Sequence, residues 1–295
     1  MRAFFIITLL KVLSLFPLSI LHKLGVILGR LLYLTPNQAK KIAVANIQHC
    51  FPDKTPQEQD RLVRNTLIET AKAFTESSAI WFWPKKKLQK LLHPAPSTKA
   101  FEEACQQKKS VIAIAPHLGA WEMSGFFAAE THITTAMYRP PRLARLDAII
   151  RKGRENLGMK LAPTTPQGIR LLSRALKNQE CIGILPDQDP GKNGGIFAPF
   201  FKQPANTMTL VSRLAKKSKA PAFIIYAERL PKGKGFLIHS KPCPETINTG
   251  TLEESVQCLN NTIEQCILQF PEQYQWNYKR FKNQPKGYPN IYRFK

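Results

Sequence analysis

Short apolar runs alternate with helix-like stretches through the middle of the chain. Residues 110–115 (SVIAIA), 133–138 (ITTAMY) and 181–186 (CIGILP) have the length and composition of buried strands. Apolar residues at helical spacing begin near residues 121 and 142, after the first two runs, and near residue 169, ahead of the third. Because apolar strands with intervening helices form parallel sheets, the pattern predicts an α/β fold whose mostly parallel sheet is covered by helices.

The regions on either side of this alternating part differ from it. Residues 222–230 (AFIIYAERL) and 235–241 (GFLIHSK) predict an antiparallel pair of strands across the turn sequence PKGKG. A short extended piece is expected near Leu161, and a long helix over residues 252–269. Residues 39–90 predict helices, interrupted at CFPDKTP by its two prolines.

The N-terminus is strongly apolar. Between Ala3 and Leu21 only Lys11 is charged, although Pro17 interrupts the run. A spanning helix needs about 20 apolar residues, so we expect a hydrophobic membrane-anchor helix within residues 1–34 and one further domain over residues 35–295. A cleaved signal peptide is disfavoured because no A-x-A-like site follows the run. A buried helix is the other alternative, and the sequence fits an anchor that spans the membrane or lies flat on it.

Charge narrows the choice of partners. The chain has 43 Lys and Arg residues against 20 Asp and Glu, a net charge of +23, and at 43% hydrophobic composition it can bury a core. Such an excess indicates an anionic partner: nucleic acid, a phosphorylated lipid surface or an acidic protein. The sequence contains no zinc-finger spacing and no RNA-binding aromatic signature, so nucleic acid is the weaker interpretation.

The six cysteines indicate a reducing compartment. They form no CxxC pair and have no histidine at metal-ligand spacing. Several lie in apolar runs, where a reduced cysteine packs as a small hydrophobic residue. We therefore expect no metal site.

Polar residues follow three of the predicted strands. His117 comes after the first, Arg139 after the second, and Asp187 and Gln188 after the third. Ligands of open α/β sheets bind at the carboxyl ends of the strands. These four residues are therefore the candidates for a common site.

His117 and Glu122 form a possible acid–base pair. With His117 in the loop and Glu122 in the first helical turn, the loop can bring the two side chains together. A carboxylate on one imidazole nitrogen fixes the tautomer, and the other nitrogen can then remove a proton. The chain has no GxSxG nucleophile motif, so the substrate's own hydroxyl would be the nucleophile. The alternative is a histidine that caps the helix and a glutamate that complements its dipole.

Several segments resemble one family. HLGAWE (residues 117–122) looks like the HX4(D/E) motif of the bacterial late acyltransferases of lipid A biosynthesis, relatives of the glycerolipid acyltransferases. The similarity continues, in order along the chain, through four further segments: ANIQHCFPDKTPQE, MYRPPR, LPDQDPGKNGGIFAPFFKQPANT and FPEQYQWNYKRFKNQP.

This resemblance implies a glycerolipid-acyltransferase-like fold and a function. The family transfers a fatty acyl chain from acyl carrier protein to a hydroxyl of a lipid A precursor during lipopolysaccharide biosynthesis, at the cytoplasmic side of the inner membrane and without a cofactor. It implies that His117 is the general base and that Glu122 assists it. It further implies an oxyanion or phosphate role for Arg139, and places Asp187 and Gln188 in the acceptor pocket.

Other functions stay open on the sequence alone. Within the class, the acceptor could be another glycolipid or a lysophospholipid, since relatives share the HX4(D/E) motif. Outside it, the alternatives are a non-catalytic basic membrane adaptor and a nucleic-acid-binding protein. Both are disfavoured, the first because His117 and Glu122 are present.

Overall fold

A seven-stranded sheet forms the centre of the protein. The computed structural model describes residues 2–107, 109–141 and 143–294. The strands in these residues are β1 (Leu92–Pro94), β2 (Val111–Ile114), β3 (Thr134–Tyr138), β4 (Met159–Pro163), β5 (Cys181–Ile184), β6 (Gly195–Phe200), β7 (Gln203–Met208), β8 (Ala222–Arg229) and β9 (Phe236–Pro242).

Helices precede, connect and follow these strands. In the described residues they are α1 (Arg2–Leu13), α2 (Leu18–Leu34), α3 (Gln38–Cys50), α4 (Pro56–Phe82), α5 (Lys85–Gln89), α6 (Lys99–Gln106), α7 (Trp121–Thr131), α8 (Ala144–Asn156), α9 (Pro166–Lys177), α10 (Leu210–Ser218), α11 (Thr246–Thr249) and α12 (Leu252–Ile267). Short 3₁₀ turns lie at Pro96–Thr98, Pro231–Gly233 and Pro271–Gln273.

The sheet has the order β1-β9-β8-β2-β5-β3-β4. The pairs are parallel except β8 and β9, which run antiparallel as the sequence predicts. Strands β6 and β7 form a separate two-stranded hairpin that the apolar pattern does not predict. The helix expected from Arg142, a residue outside the described part, begins at Ala144. The order places β2 directly between β5 and β8, so the loops after these strands meet at one edge.

Helices cover both faces of the sheet. Along β2, Ile112 and Ile114 belong to one core cluster, while Val111 and Ala113 belong to the other. This alternation follows from the two-residue repeat of a strand. The first cluster continues into α9, α10 and α12, and the second into α6 and α7. The prediction of a mostly parallel sheet covered by helices is confirmed.

The N-terminal apolar run forms two helices instead of one. Helix α1 ends at Leu13, and Pro17 directly precedes α2. Proline has no N–H for a helical hydrogen bond, and it disfavours the helical conformation of the residue before it. The expectation of a membrane anchor within residues 1–34 stays a prediction.

Helix α2 has two different faces. At Gly25 and Gly29 its backbone lies so close to α4 that a Cβ atom would come within 2.7 Å of Lys72 Cα and 2.3 Å of Ile68 Cα, respectively. Away from this contact, α1, α2 and the turn between them leave large apolar side chains exposed: Phe4, Phe5, Leu9, Val12, Leu15, Phe16, Leu24, Ile27, Leu28, Leu31 and Leu34.

A helix that crosses a bilayer must be both long enough and apolar enough. Within the described residues, no individual helix meets both criteria, while α2 and α3 meet them jointly, with a bend of 81° between their axes.

Candidate active site

The loop after β2 has one conformation that only glycine allows. Gly119 has φ +61°, and a Cβ there would lie 2.0 Å from the carbonyl oxygen of Ala227. Its N–H donates to the Gln273 carbonyl over 3.0 Å, and the Ala120 N–H donates to the Ala227 carbonyl over 2.8 Å. This close approach to β8 fixes the loop, which holds His117 at the carboxyl end of β2.

His117 is hydrogen-bonded to Asp187, which lies in the loop after β5. Its Nδ1 lies 2.8 Å from Asp187 Oδ1, and its backbone N–H donates to Asp187 Oδ2 over 2.9 Å. The imidazole is 15% exposed, whereas the carboxylate is 2% exposed. Because a carboxylate only accepts, Nδ1 carries the proton and Nε2 keeps its lone pair. This is the tautomer that a general base requires.

The surroundings of Asp187 keep it ionised. Burial alone would raise the pKa of Asp187, but the His117 donors and the Arg280 charge hold this pKa below its ordinary value. Arg280 is itself buried, where it donates to the Asn206 carbonyl and to Thr207 Oγ1. A charged carboxylate can stabilise the imidazolium that forms when His117 takes a proton.

Gln188 lies beside Nε2 of the imidazole, the nitrogen that does not contact Asp187. Its Nε2 is 3.2 Å from His117 Nε2 and also donates to Gln275 Oε1 over 3.2 Å. An amide N–H that points at His117 Nε2 agrees with the tautomer assigned from Asp187. The Trp121 ring, with its centroid 5.3 Å from that of His117, covers another side of the imidazole.

Glu122 has a different partner from the one expected. Its carboxylate accepts two hydrogen bonds from Arg154 of α8, over 2.9 Å from Nε and 2.6 Å from Nη2. No hydrogen bond joins it to His117, although both residues lie in the described part of the chain. The expected His117–Glu122 contact is therefore wrong, because Asp187 already accepts from both donors of residue 117. Glu122 is only 8% exposed, so its charge is balanced by a nearly buried guanidinium.

Arg139 follows β3, as the sequence predicts, but its side chain is exposed. Arg154 of α8 is half-buried, and its guanidinium also lies 4.9 Å from the centre of the Tyr138 ring. Burial alone would lower the pKa of Arg154, whereas Glu122 raises it above its ordinary value. Of the predicted residues, the structure thus brings His117, Asp187 and Gln188 together, while Glu122 and Arg139 lie outside this cluster.

A narrow apolar cavity of about 40 Å³ begins beside Glu122 and Arg154. Its walls are mostly small residues of the strands and of α7: Ala113, Ala115, Gly125, Ala128, Ala136 and Gly183. Met159 of β4 also lines it, and a Cβ on Gly125 would lie 3.1 Å from the Met159 sulfur. The small side chains leave space for the cavity, and Met159 forms part of its wall.

The cysteines do not provide a nucleophile. All six are free thiols. Burial raises the pKa of Cys105, Cys181 and Cys266 to about 12, so these thiols stay protonated at neutral pH. Within the described residues, no three His, Cys, Asp or Glu side chains are grouped to hold a metal ion.

The sequence does not indicate some residues of the site. Arg154 lies in an ordinary basic helix, and Gln275 and Arg280 lie in an irregular C-terminal segment without periodicity. Asp187 did carry a signal, since it directly follows a buried strand. Its pairing with His117 depends on β5 lying beside β2, which the local pattern does not specify.

The structure is an α/β fold whose sheet carries a histidine paired with a buried carboxylate at its carboxyl edge. Comparison with known families identifies the class of enzyme. The sequence model described as "Bacterial lipid A biosynthesis acyltransferase" matches residues 1–283, and the chain belongs to this family. The protein is therefore an acyltransferase of lipid A biosynthesis.

Relatives of this family align over most of their length. The lipid A biosynthesis lauroyltransferase of Escherichia coli K12 is 26% identical over 277 residues, which cover 94% of this chain and 90% of the relative. The palmitoleoyltransferase of the same organism is also 26% identical, covering 94% and 89%. A lipid A biosynthesis acyltransferase of Haemophilus influenzae is 28% identical over 272 residues, covering 90% and 81%.

Proposed function

We propose that this enzyme transfers a fatty acyl chain from acyl carrier protein to a hydroxyl of a lipid A precursor at the cytoplasmic face of the inner membrane. The observation that carries the proposal is the Asp187–His117 pair, which leaves His117 Nε2 as an oriented base at the carboxyl edge of the sheet. The names of the family and of its relatives supply the substrate class.

The chemistry requires one base and one activated ester. His117 Nε2 takes the proton of the acceptor hydroxyl as its oxygen attacks the thioester carbonyl. The tetrahedral intermediate collapses, the carbon–sulfur bond breaks, and the imidazolium returns the proton to the leaving thiolate. Asp187 stabilises the imidazolium between these two steps. Gln188 Nε2, 3.2 Å from the base, can donate to a substrate oxygen there.

Glu122 and Arg139 take different roles in this scheme. Glu122 fixes Arg154 beside the cavity, so it contributes through that guanidinium and not through the imidazole. Arg139 is an exposed cation at the end of β3. It therefore suits a phosphate group of the acceptor or of the carrier arm more than an oxyanion in a dry site.

The apolar cavity suits the donor's acyl chain. Its lining includes Trp121, which lies beside the His117 ring. The other lining residues are apolar except Glu122, Ser124, Thr134 and Arg154. A volume of about 40 Å³ holds only a small group, so a long chain enters by displacing flexible side chains, of which Met159 is one.

The charge of the protein suits both substrates. Acyl carrier protein is acidic and the acceptor is phosphorylated, whereas this chain carries +23. Helix α8 presents Arg145, Arg151 and Lys152 to solvent on the helix that also holds Arg154. These exposed cations support a role for α8 in binding an anionic substrate.

The exposed apolar side chains of α1 and α2 suit contact with lipid. Leu15 is 80% exposed and Leu34 is 74% exposed. Patches of this kind on a protein surface mark interaction sites, and an apolar surface flanked by cations matches a membrane with anionic headgroups. We therefore propose that residues 1–34 attach the enzyme to the bilayer that contains its acceptor.

A reconstituted reaction tests the proposed function. Purified enzyme is incubated with acyl carrier protein bearing a defined thioester and with a phosphorylated disaccharide lipid A precursor, and the products are analysed by mass spectrometry. One added acyl group on the precursor is the expected product. Acylation of a lysophospholipid in its place would refute the proposed acceptor.

Vesicle flotation tests the membrane surface. Replacing Ile27 and Leu31 together with lysine should strongly reduce binding to vesicles that contain anionic lipid. Leu268→Lys is the matched control, because Leu268 and Leu31 are both 54% exposed. Equal binding by both variants would contradict the proposed contact.

A further inference from the structure

A buried ionic pair lies next to the loop that carries His117. Arg229, the last residue of β8, donates to Glu76 of α4 through Nε over 2.9 and 3.0 Å and through Nη2 over 2.7 Å. Both side chains are only 2% exposed. Burial alone would raise the pKa of Glu76, but Arg229 and His22 hold it below its ordinary value. The pair is therefore fully charged at neutral pH.

The same guanidinium contacts the loop. Arg229 Nη2 donates to the Gly119 carbonyl over 2.9 Å. Its backbone N–H donates to Gln273 Oε1 over 2.9 Å, and the Gln273 carbonyl accepts the Gly119 N–H. Both polar groups of the Gly119 backbone are thus held, two residues from His117.

The pair also connects to the N-terminal helices. His22 Nε2 of α2 donates to Glu76 Oε2 over 2.9 Å, and His22 is 6% exposed. Thr75 Oγ1 of α4 donates to the Leu21 carbonyl over 2.8 Å. A continuous chain of contacts therefore runs from α2, the helix with an exposed apolar face, to the His117 loop.

We propose that Arg229 is a positioning residue for His117, and that Glu76 and His22 hold it in register with α2. This inference rests on the proposed role of His117 as the base. Because substrate does not touch Arg229, its loss leaves binding intact and misplaces the base. Small errors in the position of a reacting group lower the rate at saturation strongly.

Arg229→Lys is the direct test. Lysine keeps the charge opposite Glu76, but it lacks the planar fork that reaches the carboxylate and the Gly119 carbonyl together. We expect kcat to fall tenfold or more while KM for donor and acceptor stays within twofold. Hydrogen exchange of residues 116–121 should become faster, because Gly119 and Ala120 lose a fixed loop geometry.

The control is Lys72→Gln. Lys72 pairs with Glu69 at 2.6 Å, and Glu69 contacts Arg229 at 3.4 Å, so this change alters the edge of the network without touching the loop. It should leave kcat and loop exchange unchanged. Normal kcat and normal loop exchange in Arg229→Lys would overturn the proposal.

Two further variants complete the test. One is used if Arg229→Lys does not fold, and the other tests the connection to α2. If Arg229→Lys does not fold, Arg229→Met combined with Glu76→Leu leaves no unpaired buried charge, and the same two measurements decide. His22→Phe should accelerate loop exchange and lower kcat severalfold, and wild-type values would remove α2 from the proposal. Loop exchange is measured without substrate, so it stays informative even if the wild-type enzyme does not acylate the lipid A precursor.

Discussion

Asp187→Asn removes one charge at the centre of the proposed mechanism. The carboxylate accepts from both Nδ1 and the backbone N–H of His117, at 2.8 and 2.9 Å. An amide offers one accepting oxygen, so its NH₂ group faces the second donor. If that donor is Nδ1, the imidazole proton moves to Nε2 and the base is lost.

The replacement of the carboxylate by an amide should lower both kcat and the free energy of unfolding. Loss of the correct tautomer and of the charge that stabilises the imidazolium should lower kcat by about 10³–10⁴, equivalent to about 4–5.5 kcal/mol of transition-state stabilisation. The fold should lose about 1–3 kcal/mol, because a buried donor is left facing a donor. Steady-state transfer and chemical denaturation measure the two effects separately.

Asp189→Asn is the matched control. Asp189 is also buried, and its carboxylate accepts from the Gly191 N–H and from the amides of Asn206 and Asn283. The same substitution there should cost stability but leave kcat within about threefold. Wild-type turnover in Asp187→Asn, or an equal loss in Asp189→Asn, would refute the reasoning.

The stability of the protein at low pH should also depend on the Asp187 carboxylate. The folded-state pKa of Asp187 lies below its ordinary value, so its charged form stabilises the fold above the unfolded pKa of about 4. That contribution is lost as the pH falls from about 4 through the lower folded pKa. The stability difference between the wild type and Asp187→Asn should therefore shrink in this range, and a constant difference would contradict the assignment.

Three further changes probe the rest of the site. Glu122→Gln should lower the free energy of unfolding by about 3–5 kcal/mol because it leaves Arg154 nearly buried without its carboxylate, and Glu122→Asp should be milder; an unchanged melting temperature would contradict this. Met159→Ala should enlarge the cavity and raise the relative rate with longer acyl chains, at a stability cost of about 2–5 kcal/mol, whereas an unchanged chain preference in a competition assay would remove Met159 from the donor pocket. Reversing the charges of Arg145 and Lys152 together should raise KM for carrier or acceptor at low salt with little change in kcat, and unchanged kinetics would exclude α8 from the binding surface.

The local pattern was sufficient for six of the seven strands of the central sheet, but it did not predict β1. Strands β2, β3 and β5 are short apolar runs bounded by polar residues, and the antiparallel pair β8–β9 has a turn sequence between its strands. His117 and Asp187 were placed at one edge because both follow buried strands. These features depend on residues that are neighbours along the chain.

The local pattern did not predict which of these side chains contact one another. Whether His117 meets Glu122 or Asp187 depends on the order of the strands, and Glu122 meets Arg154 only because α8 packs near α7. These contacts join residues 32 and 70 positions apart. The hairpin of β6 and β7 was missed because GIFAPF and QPANTM contain proline and polar residues in place of a clear alternation.

The most direct test of the central claim is the turnover of His117→Ala. Acyl transfer from the carrier thioester to the lipid A precursor is measured at saturating substrate, together with the melting temperature. His132→Ala, a histidine whose Nε2 contacts only the Gln179 carbonyl among the described residues, is the control. The account predicts that His117→Ala loses transfer almost completely while the control stays active. The melting temperature of His117→Ala should fall, because the buried Asp187 carboxylate loses its imidazole partner, so transfer is compared at a temperature where both variants are folded. Near-normal transfer by His117→Ala would contradict the proposed base.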